Sequence, residues 1–288
     1  MADHADTSPA ARPHLLVAVL GTGTEVGKTW VSAATLAALR AQGWMVAARK
    51  PAQSFDPAET NPDGGPVLHD SQFLSAATGE PDADVCPAHR RYPVALAPPM
   101  AARRLGLPSF TITDLASEVA ASWGGRAADL GLVESAGGVA SPAADDGHSG
   151  DLVDAVLPDL VVLVADATLG SIHAVRSSLA AFGRTDVVVH LNRFNAEAEV
   201  QALNRDWLRG HDGLVVTTSV DELAELLAAT IPRHCPGCGE LSSNCDGSCR
   251  RPLDPDRYCP RCGRRTSVLV TPAGHRATCR VHGEVDEQ

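Results

Sequence analysis

The chain of 288 residues is long enough to fold into one sizeable domain with a smaller one attached. Apolar residues make up 44% of it, which supports a hydrophobic core, and no apolar run approaches the roughly 20 residues that a membrane-spanning helix needs. Residues 1–230 carry 15 basic and 28 acidic side chains, and this acidic character argues against non-specific binding of nucleic acid.

The N-terminal half of the chain alternates between apolar strand patterns and helix patterns. Residues 1–13 are polar, lack the pattern of a signal peptide and are predicted to form a disordered tail of a cytoplasmic protein. Short apolar runs that end at glycine or proline predict strands, and segments rich in alanine and leucine predict helices. In chain order, the predicted elements are strand Leu15–Leu20, helix Thr29–Arg40, strand Trp44–Arg49, loop Ala52–Pro66, helix Leu68–Thr78, an irregular segment Pro87–Pro108 and helix Leu115–Trp123.

The alternation of strands and helices continues to about residue 230. The later predicted elements are strands Asp129–Val133, Leu160–Ala165, Val187–Leu191 and Leu214–Thr218 and a closing helix, Asp221–Ala229. This alternation predicts an α/β domain over residues 14–232 with a doubly wound, mostly parallel sheet. Such sheets bind their ligands at the carboxyl ends of the strands, which is where the polar residues considered below occur.

A glycine- and threonine-rich loop separates the first predicted strand from the first helix. Its sequence at residues 21–29, GTGTEVGKT, departs by one residue from the usual P-loop, because Thr22 stands where the first glycine is expected. The backbone N–H groups of such a loop bind phosphate, Lys28 adds positive charge, and the Thr29 hydroxyl can bind Mg²⁺. The loop therefore predicts a domain of the P-loop NTPase type with a site for a nucleoside triphosphate.

Lysine occurs only at Lys28 and Lys50, whereas the chain contains 22 arginines. Lysine is a compact point charge on a thin stem, and arginine is a broader planar fork. Because the two lysines lie near the phosphate loop at the ends of predicted strands, we expect both to be functional.

Several segments of residues 14–230 resemble the ATP-dependent dethiobiotin synthetases, in the order found in that family. The segments are GTGTEVGKT at residues 21–29, RKPAQS at 49–54, LHDSQFL around Asp70, LAPPMAA at 96–102, LVESAGG at 132–138 and LGSI at 169–172. The resemblance implies a cytoplasmic ligase of biotin biosynthesis. This ligase closes the ureido ring of dethiobiotin from 7,8-diaminononanoate, CO₂ and ATP with Mg²⁺, and it works as a homodimer.

The same resemblance implies roles for individual residues. Lys28 and Lys50 would be catalytic, Lys28 at the phosphates of ATP and Lys50 at the carbamate and its phosphoric anhydride, while Ser54 would bind the substrate. The implied Mg²⁺ ligands are Thr29, Asp70 and Glu134. The implied nucleotide site comprises Glu25, Val26, Gly27, Lys28, Thr29, Trp30, Asp70, Glu134, Ser135, Ala136, Gly137 and Asn192.

The chain departs from the family pattern at a few positions around the implied site. Gly23 stands where the family commonly has Asp, and Ser135 replaces the glycine that follows Glu134. Arg193 stands after Asn192 in place of an Asp. Because this removes a carboxylate that would accept hydrogen bonds from the base, the nucleotide preference stays open.

Seven of the eight cysteines lie between Cys235 and Cys279, and in a cytoplasmic chain this clustering favours metal over disulfides. A Cys-x₂-Cys pair, a hairpin pattern over residues 266–279 and a Cys-x₂-His pair are typical of a zinc ribbon. The predicted ligands are Cys235, Cys238, Cys245 and Cys249 in one site and Cys259, Cys262, Cys279 and His282 in another.

Residues 233–288 are predicted to form a separate metal-ribbon domain, because they contain too few large apolar side chains for a core of their own. The segment RYCPRCGRR at residues 257–265 and the final Cys-x₂-His-Gly resemble the small auxiliary proteins of biotin synthase. This resemblance implies biotin synthase as a partner, and it leaves an iron–sulfur cluster open as an alternative to Zn²⁺.

A different class of protein shares the predicted sheet, namely the switch ATPases of the partition and septum-site type. These proteins use a nucleotide to control protein association, and they carry a lysine early in the phosphate loop where this chain has Thr or Gly. They also have no need of Lys50 followed by Ser54. Stimulation of the ATPase by DNA or membranes would favour this alternative, whereas the ligase is expected to have neither as a partner.

Overall fold

The structure, a computed structural model, describes residues 12–60, 67–124, 128–184, 186–250, 254–271 and 274–285. The chain divides into two compact units, Met1–Ala229 and Thr230–Gln288. Residues 1–11 of the predicted disordered tail and residues 61–66 of the predicted loop lie outside the described residues. Within the described ranges, no helix has the length and apolar character needed to cross a membrane.

The first unit contains the following strands and helices. The strands are β1 (Leu15–Gly21), β2 (Val46–Arg49), β3 (Gln53–Ser54), β4 (Arg91–Tyr92), β5 (Leu130–Glu134), β6 (Pro142–Ala144), β7 (Gly147–His148), β8 (Leu160–Asp166), β9 (Val187–Asn192) and β10 (Val215–Thr217). The helices are α1 (Lys28–Ala41), α2 (Asp70–Thr78), α3 (Asp82–Val85), α4 (Pro98–Arg104), α5 (Ile112–Ser122), α6 (Ser149–Val156), α7 (Ser171–Phe182), α8 (Glu199–Gly210) and α9 (Val220–Thr230).

Six strands form one parallel sheet in the order β10-β9-β8-β1-β5-β2. β1 lies inside this sheet, where Val17 is opposite Leu132 of β5 on one side and Leu160 of β8 on the other. All seven residues of β1 are buried. Because successive side chains of a strand point to opposite faces, both faces of the sheet are covered here. The predicted α/β class with a mostly parallel, doubly wound sheet is confirmed.

The strand order places the phosphate loop at a switch point of the sheet. β5 and β2 lie on one side of β1, and β8, β9 and β10 lie on the other. In open α/β sheets, ligands bind outside the carboxyl ends of the strands at such a point. The loop at residues 21–27 follows β1 at that point.

One cluster of buried apolar side chains lies between the sheet and helices α6, α7 and α8. It includes Leu20, Leu163 and Val189 of the sheet, Val175 of α7 and Leu208 of α8. Burying one such side chain contributes roughly 1.5–3 kcal/mol. This packing fixes the strand ends from which the loops of the site extend.

Two predictions about loops are wrong. The segment Pro87–Pro108 was predicted to be irregular, but α4 forms within it, with Pro98 and Pro99 in its first positions. Proline is tolerated there because the first N–H groups of a helix have no partner within the helix. The predicted loop Ala52–Pro66 contains β3, in which Gln53 pairs with Arg91 of β4. This pairing joins segments far apart in the chain, so local composition does not indicate it.

The other predicted elements of this unit occur within three residues of their predicted bounds. The largest shift is in α5, which begins at Ile112 and not at Leu115. The Asp114 N–H donates to Thr111 Oγ1 at 3.1 Å, and the Thr111 N–H donates to Asp114 Oδ2 at 2.8 Å. This reciprocal capping starts the helix one turn before its apolar stripe.

The second unit contains a small antiparallel sheet. Its strands are β11 (Ser267–Thr271), β12 (Gly274–Cys279) and β13 (Gly283–Val285). β11 and β12 form the predicted hairpin, with Leu269 opposite Arg276, and residues 272–273 at its turn lie outside the described residues. β13 is a further strand that the sequence pattern did not predict.

Candidate active site

The loop between β1 and α1 is held in a tight conformation. Glu25 has a φ of 61° and Gly27 a φ of 90°, so both adopt the left-handed region. Gly27 needs to be glycine for a second reason, because a Cβ atom there would lie 2.1 Å from Asn192 Nδ2. Lys28 Nζ donates to the Gly23 carbonyl at 3.1 Å. The lysine side chain therefore folds over the loop, as a lysine that faces phosphate in a P-loop does.

Lys50 directly follows β2 and lies between two carboxylates. One belongs to Asp70, the first residue of α2, and the other to Glu134, the last residue of β5. The Lys50 Nζ atom is 2.7 Å from Asp70 Oδ2 and 2.8 Å from Glu134 Oε1. Thr29 Oγ1 donates to the same oxygen of Glu134 at 2.7 Å. Lys50 is 2% exposed and Glu134 is fully buried, so the contact between them is shielded from water, whereas the Asp70 side chain is 43% exposed. The structure thus brings together four predicted residues from four separate segments.

Burial and neighbouring charges act differently on the two lysines. Burial by itself lowers the pKa of Lys50, but the carboxylates of Asp70 and Glu134 outweigh this effect and raise the pKa above its ordinary value. For Lys28, burial together with the positive charge of Lys50 lowers the pKa to about 8. Lys50 is therefore firmly charged, whereas Lys28 loses its proton more readily than an ordinary lysine, and an anion beside it would favour its charged form.

The oxygen atoms of Thr29, Asp70 and Glu134 are the predicted Mg²⁺ ligands. Glu134 Oε2 is buried and has no hydrogen-bond partner within the part of the chain that the structure describes. A buried carboxylate oxygen is costly unless a cation or a donor meets it. Two carboxylates and a hydroxyl are the oxygen ligands that a hard cation prefers. The residues present therefore fit Mg²⁺.

A cleft of about 600 Å³ opens beside these residues. The predicted site residues that line it are Glu25, Gly27, Lys28, Thr29, Trp30, Lys50, Ser54, Asp70, Ala136 and Gly137. Phe55, Glu59 and residues 95–98 extend the lining as far as the start of α4. Ser54 Oγ is buried and makes no hydrogen bond within the described residues. Glu134 and Ser135 are also buried.

Comparison with known proteins agrees with this geometry. Residues 16–230 match a protein family described as an AAA domain. The chain is 43% identical to the ATP-dependent dethiobiotin synthetase BioD of Caulobacter vibrioides (strain NA1000 / CB15N) over 157 residues, which are 53% of this chain and 67% of that protein. It is 34% identical to the protein of the same name from Haloferax mediterranei over 209 residues, which are 70% of this chain and 82% of that protein. The chain belongs to the ATP-dependent dethiobiotin synthetase family.

As a member of this family, the chain is an ATP-dependent ligase of biotin biosynthesis. Membership favours the ligase over the switch ATPase as the function of residues 16–230. Among solved structures, the signal recognition particle receptor FtsY of Elizabethkingia anophelis matches 75% of this chain and 62% of its own chain, at 14% identity and a TM-score of 0.39. This similarity is too low to support any conclusion about the fold or function of the chain.

A second cleft of this dethiobiotin synthetase, of about 520 Å³, shares Gly27 and Trp30 with the first. Its other lining residues are His190, Asn192, Arg193, Phe194 and residues 218–221, at the ends of β9 and β10. Sequence reasoning predicted Asn192 here and missed His190, Phe194 and residues 218–221, which belong to no motif. The carboxyl ends of the last two predicted strands were the signal that could have found them.

The end of β9 holds the phosphate loop in place. Asn192 Nδ2 donates to the Val26 carbonyl at 3.0 Å, and Arg193 Nη2 donates to the Glu25 carbonyl at 3.3 Å. Arg193 also lies 3.3 Å from Asp166 Oδ2 at the end of β8. Val26 and Asn192 are both predicted nucleotide-site residues, and the backbone carbonyl of Val26 contacts the side chain of Asn192. Arg193, which replaces the family's Asp, bridges the phosphate loop and two strand ends.

His190, which lines the second cleft, gives a pH-dependent prediction. It is 1% exposed, and its Nδ1 atom lies 2.9 Å from Thr217 Oγ1. Burial lowers the pKa of His190 from 6.5 to about 4, so the folded protein holds the imidazole neutral. The unfolded chain binds a proton at the higher pKa, so the stability contributed by His190 is complete above pH 6.5 and is lost as the pH falls towards 4.

From this shift we expect His190 to account for a loss of about 2 kcal/mol in the free energy of unfolding between about pH 7.5 and pH 5. Denaturant titrations at both pH values measure the loss. In the variant His190→Gln, whose side chain cannot titrate, the free energy of unfolding should fall between these pH values by about 2 kcal/mol less than in the parent protein. An equal loss in both proteins would contradict the prediction.

The cysteines of the second unit form two groups of four ligands, as predicted. The first group is Cys235, Cys238, Cys245 and Cys249, and the second group is Cys259, Cys262, Cys279 and His282. Within each group, all ligand atoms lie within 4.8 Å of one another. Both groups can therefore hold a metal ion.

Proposed function

We propose that this synthetase makes dethiobiotin from 7,8-diaminononanoate, CO₂ and ATP with Mg²⁺. The observation that carries the proposal is the position of Lys50, which is buried in the cleft wall between Asp70 and Glu134 and close enough to Lys28 to lower its pKa. Both intermediates of this reaction, the carbamate and its phosphoric anhydride, are anions that lie beside the phosphates of the nucleotide. Such a reaction needs concentrated positive charge in a site shielded from water.

The proposed reaction has three steps. One amine of the substrate takes up CO₂, which forms a carbamate and releases a proton. A carbamate oxygen then attacks the γ-phosphorus of ATP, ADP leaves, and a carbamic–phosphoric anhydride forms. The second amine attacks the carbonyl carbon of the anhydride, phosphate leaves, and the five-membered ureido ring closes with loss of a proton.

The residues of the cleft suit these steps. Lys28 would neutralise the phosphates, and Ser54 Oγ, which makes no hydrogen bond within the described residues, would bind the diamine. Bound Mg²⁺ would add positive charge at the phosphate oxygens. The three donors of Lys50 lie against Asp70, Glu134 and the Ser135 carbonyl, the last at 3.3 Å. If the carboxylate of Asp70 or Glu134 binds Mg²⁺ and no longer accepts from Lys50, one N–H of Lys50 becomes available to donate to the carbamate.

Mass spectrometry of the products tests this function directly. The chain is incubated with 7,8-diaminononanoate, bicarbonate, ATP and Mg²⁺, and one dethiobiotin is expected for each ADP and each phosphate released. Omitting the diamine should stop ADP formation. Continued ATP hydrolysis without the diamine, with no ring product in its presence, would refute the proposed reaction.

The magnesium ligands give a second test. In Glu134→Gln, the Mg²⁺ concentration for half-maximal activity should rise roughly 10-fold or more, because a neutral amide is a poorer ligand for a hard cation. Rates measured across a Mg²⁺ titration check this result. Glu59→Gln is the matched control, since Glu59 lines the same cleft outside the oxygen cluster. If the Mg²⁺ titration curves of the parent and of Glu134→Gln coincide, Glu134 does not bind the metal.

The proposed enzyme is a homodimer. Its support is the resemblance of residues 169–172 to a substrate-side loop of the family, together with the exposure of Leu169 in that loop. Leu169 is 88% exposed. A partner subunit would cover it.

Each group of tail ligands is proposed to bind one Zn²⁺ ion. A tetrahedral ion with Zn–S bonds of about 2.3 Å separates its sulfur ligands by about 3.8 Å. The observed Sγ–Sγ distances are 3.4 Å for Cys235–Cys249, 3.7 Å for Cys238–Cys245 and 3.7 Å for Cys262–Cys279. An iron–sulfur cluster distributes its cysteines over different irons, which requires wider spacing. The compact groups therefore favour single ions over a cluster.

The proposed partner of the tail is biotin synthase, the enzyme that inserts sulfur into dethiobiotin. The support for this partner is the resemblance of RYCPRCGRR and the final Cys-x₂-His-Gly to its auxiliary proteins. The two units of the chain would then serve consecutive steps. Biotin synthase should co-purify with the full chain and not with a chain that ends near Pro232.

A further inference from the structure

The two ligand groups of the tail differ in their exposure to solvent. In the second group, Cys259 is 1% exposed and Cys279 is 2% exposed. In the first group, Cys235 is 8% exposed, whereas Cys249 is exposed. Cys262 of the second group is partly buried, as Cys238 and Cys245 of the first group are, so Cys249 is the exposed cysteine that a dissolved small molecule meets most easily.

The two groups also differ in their surroundings. Cys279 is the last residue of β12, and His282 lies in the turn before β13, so the sheet fixes half of the second group. In the first group, Cys245 and Cys249 lie in a segment whose only regular element is the short 3₁₀ turn Ser242–Asn244. The first group can therefore rearrange without breaking a strand pair.

Sulfur atoms of the first group lie close enough to one another to form a disulfide after a small movement. Cys249 Sγ lies 3.4 Å from Cys235 Sγ and 3.5 Å from Cys245 Sγ. A disulfide needs about 2.05 Å, so a movement of roughly 1.4 Å is sufficient. The second group contains a histidine in place of one cysteine, which leaves it fewer sulfur pairs.

We propose that Cys249 is an oxidation site at which a peroxide converts the first group into a disulfide and releases its Zn²⁺, while the second group keeps its ion. This inference rests on the proposed binding of one Zn²⁺ by each group. The ligand class of the site is thus a hydroperoxide, and the residue that it meets first is the exposed Cys249, whose sulfur is a thiolate while it binds the ion.

The chemistry balances with the peroxide as the only oxidant. The Cys249 thiolate attacks one peroxide oxygen, the O–O bond breaks, hydroxide leaves, and Cys249 becomes a sulfenic acid. The thiolate of Cys235 or Cys245 then attacks the Cys249 sulfur, the S–O bond breaks, and a second hydroxide leaves with formation of the disulfide. Two sulfurs are oxidised and one peroxide is reduced. Only two of the four thiolate ligands remain, so the ion dissociates.

The test uses the full chain loaded with zinc, and hydrogen peroxide as the probe. Zinc content is measured first, and two ions per chain are expected. Zinc released into a colorimetric chelator is then followed in time, together with peptide mapping of disulfides and dimedone labelling of sulfenic acids. We expect release of one ion, at least 10-fold faster than any second, with dimedone on Cys249 and a disulfide from Cys249 to Cys235 or Cys245.

Two variants locate the reaction. Cys249→His keeps four ligands in the first group and has the same donor set as the second, so it should retain two ions and lose the fast release. Cys262→His is the matched control in the second group, and it should leave the fast release unchanged. Dimedone labelling of the unchanged chain identifies the oxidised cysteine even where a variant fails to fold.

The outcomes separate this inference from the one on which it rests. Fewer than two zinc ions before peroxide is added would overturn the proposed zinc binding of the tail, and the zinc release with it. Two ions at the start, followed by release of both at one rate, would overturn the oxidation site alone. Release that persists in Cys249→His, or dimedone first on Cys259 or Cys279, would do the same.

Discussion

Replacing Lys50 with alanine should reduce kcat for dethiobiotin formation by roughly 10²–10³-fold, as expected for the loss of one charge-stabilising donor. The reason is that Lys50 is proposed to act on the carbamate and its anhydride and not on the nucleotide. Binding of ADP should therefore remain measurable by calorimetry. Product formation by mass spectrometry and ADP binding are compared in the parent and the variant at saturating Mg²⁺.

The controls for this variant come from its neighbours. Lys50→Met keeps most of the side-chain volume without the charge, and it should show the same loss. Arg49→Met also removes a buried cation from β2, where Arg49 lies 3.0 Å from Glu80, but Arg49 does not line the cleft. That variant should lose stability and keep its kcat. Near-normal turnover of Lys50→Ala would rule out the role assigned to Lys50.

Removing the tail should leave dethiobiotin formation intact, and removing its metal should unfold it. The described buried apolar residues of the second unit are Ile231, Cys235, Cys259, Ala277 and Cys279. Three of these five are proposed zinc ligands, so little core remains without the metal. Zinc supplies about 10–16 kcal/mol of apparent binding free energy in small zinc domains, which is enough to decide whether they fold.

Two measurements check this separation of the units. A chain that ends near Pro232 should form dethiobiotin at the rate of the full chain and contain no zinc, whereas the full chain should contain two ions. After chelation, trypsin should digest the tail of the full chain, which contains nine arginines from Arg233 onwards, and spare the first unit. A shortened chain that folds but has lost the ligase activity would show that the tail completes the active site.

The phosphate loop and the Cys-x₂-Cys pairs of the tail were predictable because each is a short segment with its own chemistry. Glycine, lysine and threonine at residues 21–29 have few other uses between a buried strand and a helix. Cys259 and Cys262 likewise form a knuckle by themselves. Such features depend on neighbours in the chain, so they can be read before any tertiary contact is known.

The strand β3 was not predictable in the same way. β3 exists because Gln53 pairs with Arg91, and this partner is set by the course of the chain between them. The second cleft was missed for a related reason, because its walls come from strand ends that carry no common motif. Partners distant in the chain, and not local composition, determine both features.

The sequence by itself determined the alternation of strands and helices, the phosphate loop and the division into a P-loop domain and a cysteine-rich tail, and it singled out Lys28 and Lys50 as candidate functional residues. These follow from hydrophobic periodicity and residue chemistry, which act over a few neighbouring residues. Only the tertiary structure decided that Lys50 lies between Asp70 and Glu134 and that Asn192 and Arg193 support the phosphate loop. The physical reason is that β2 pairs with β5 and that β9 is joined to β1 through β8, so the parallel sheet brings strand ends from distant parts of the chain to one edge.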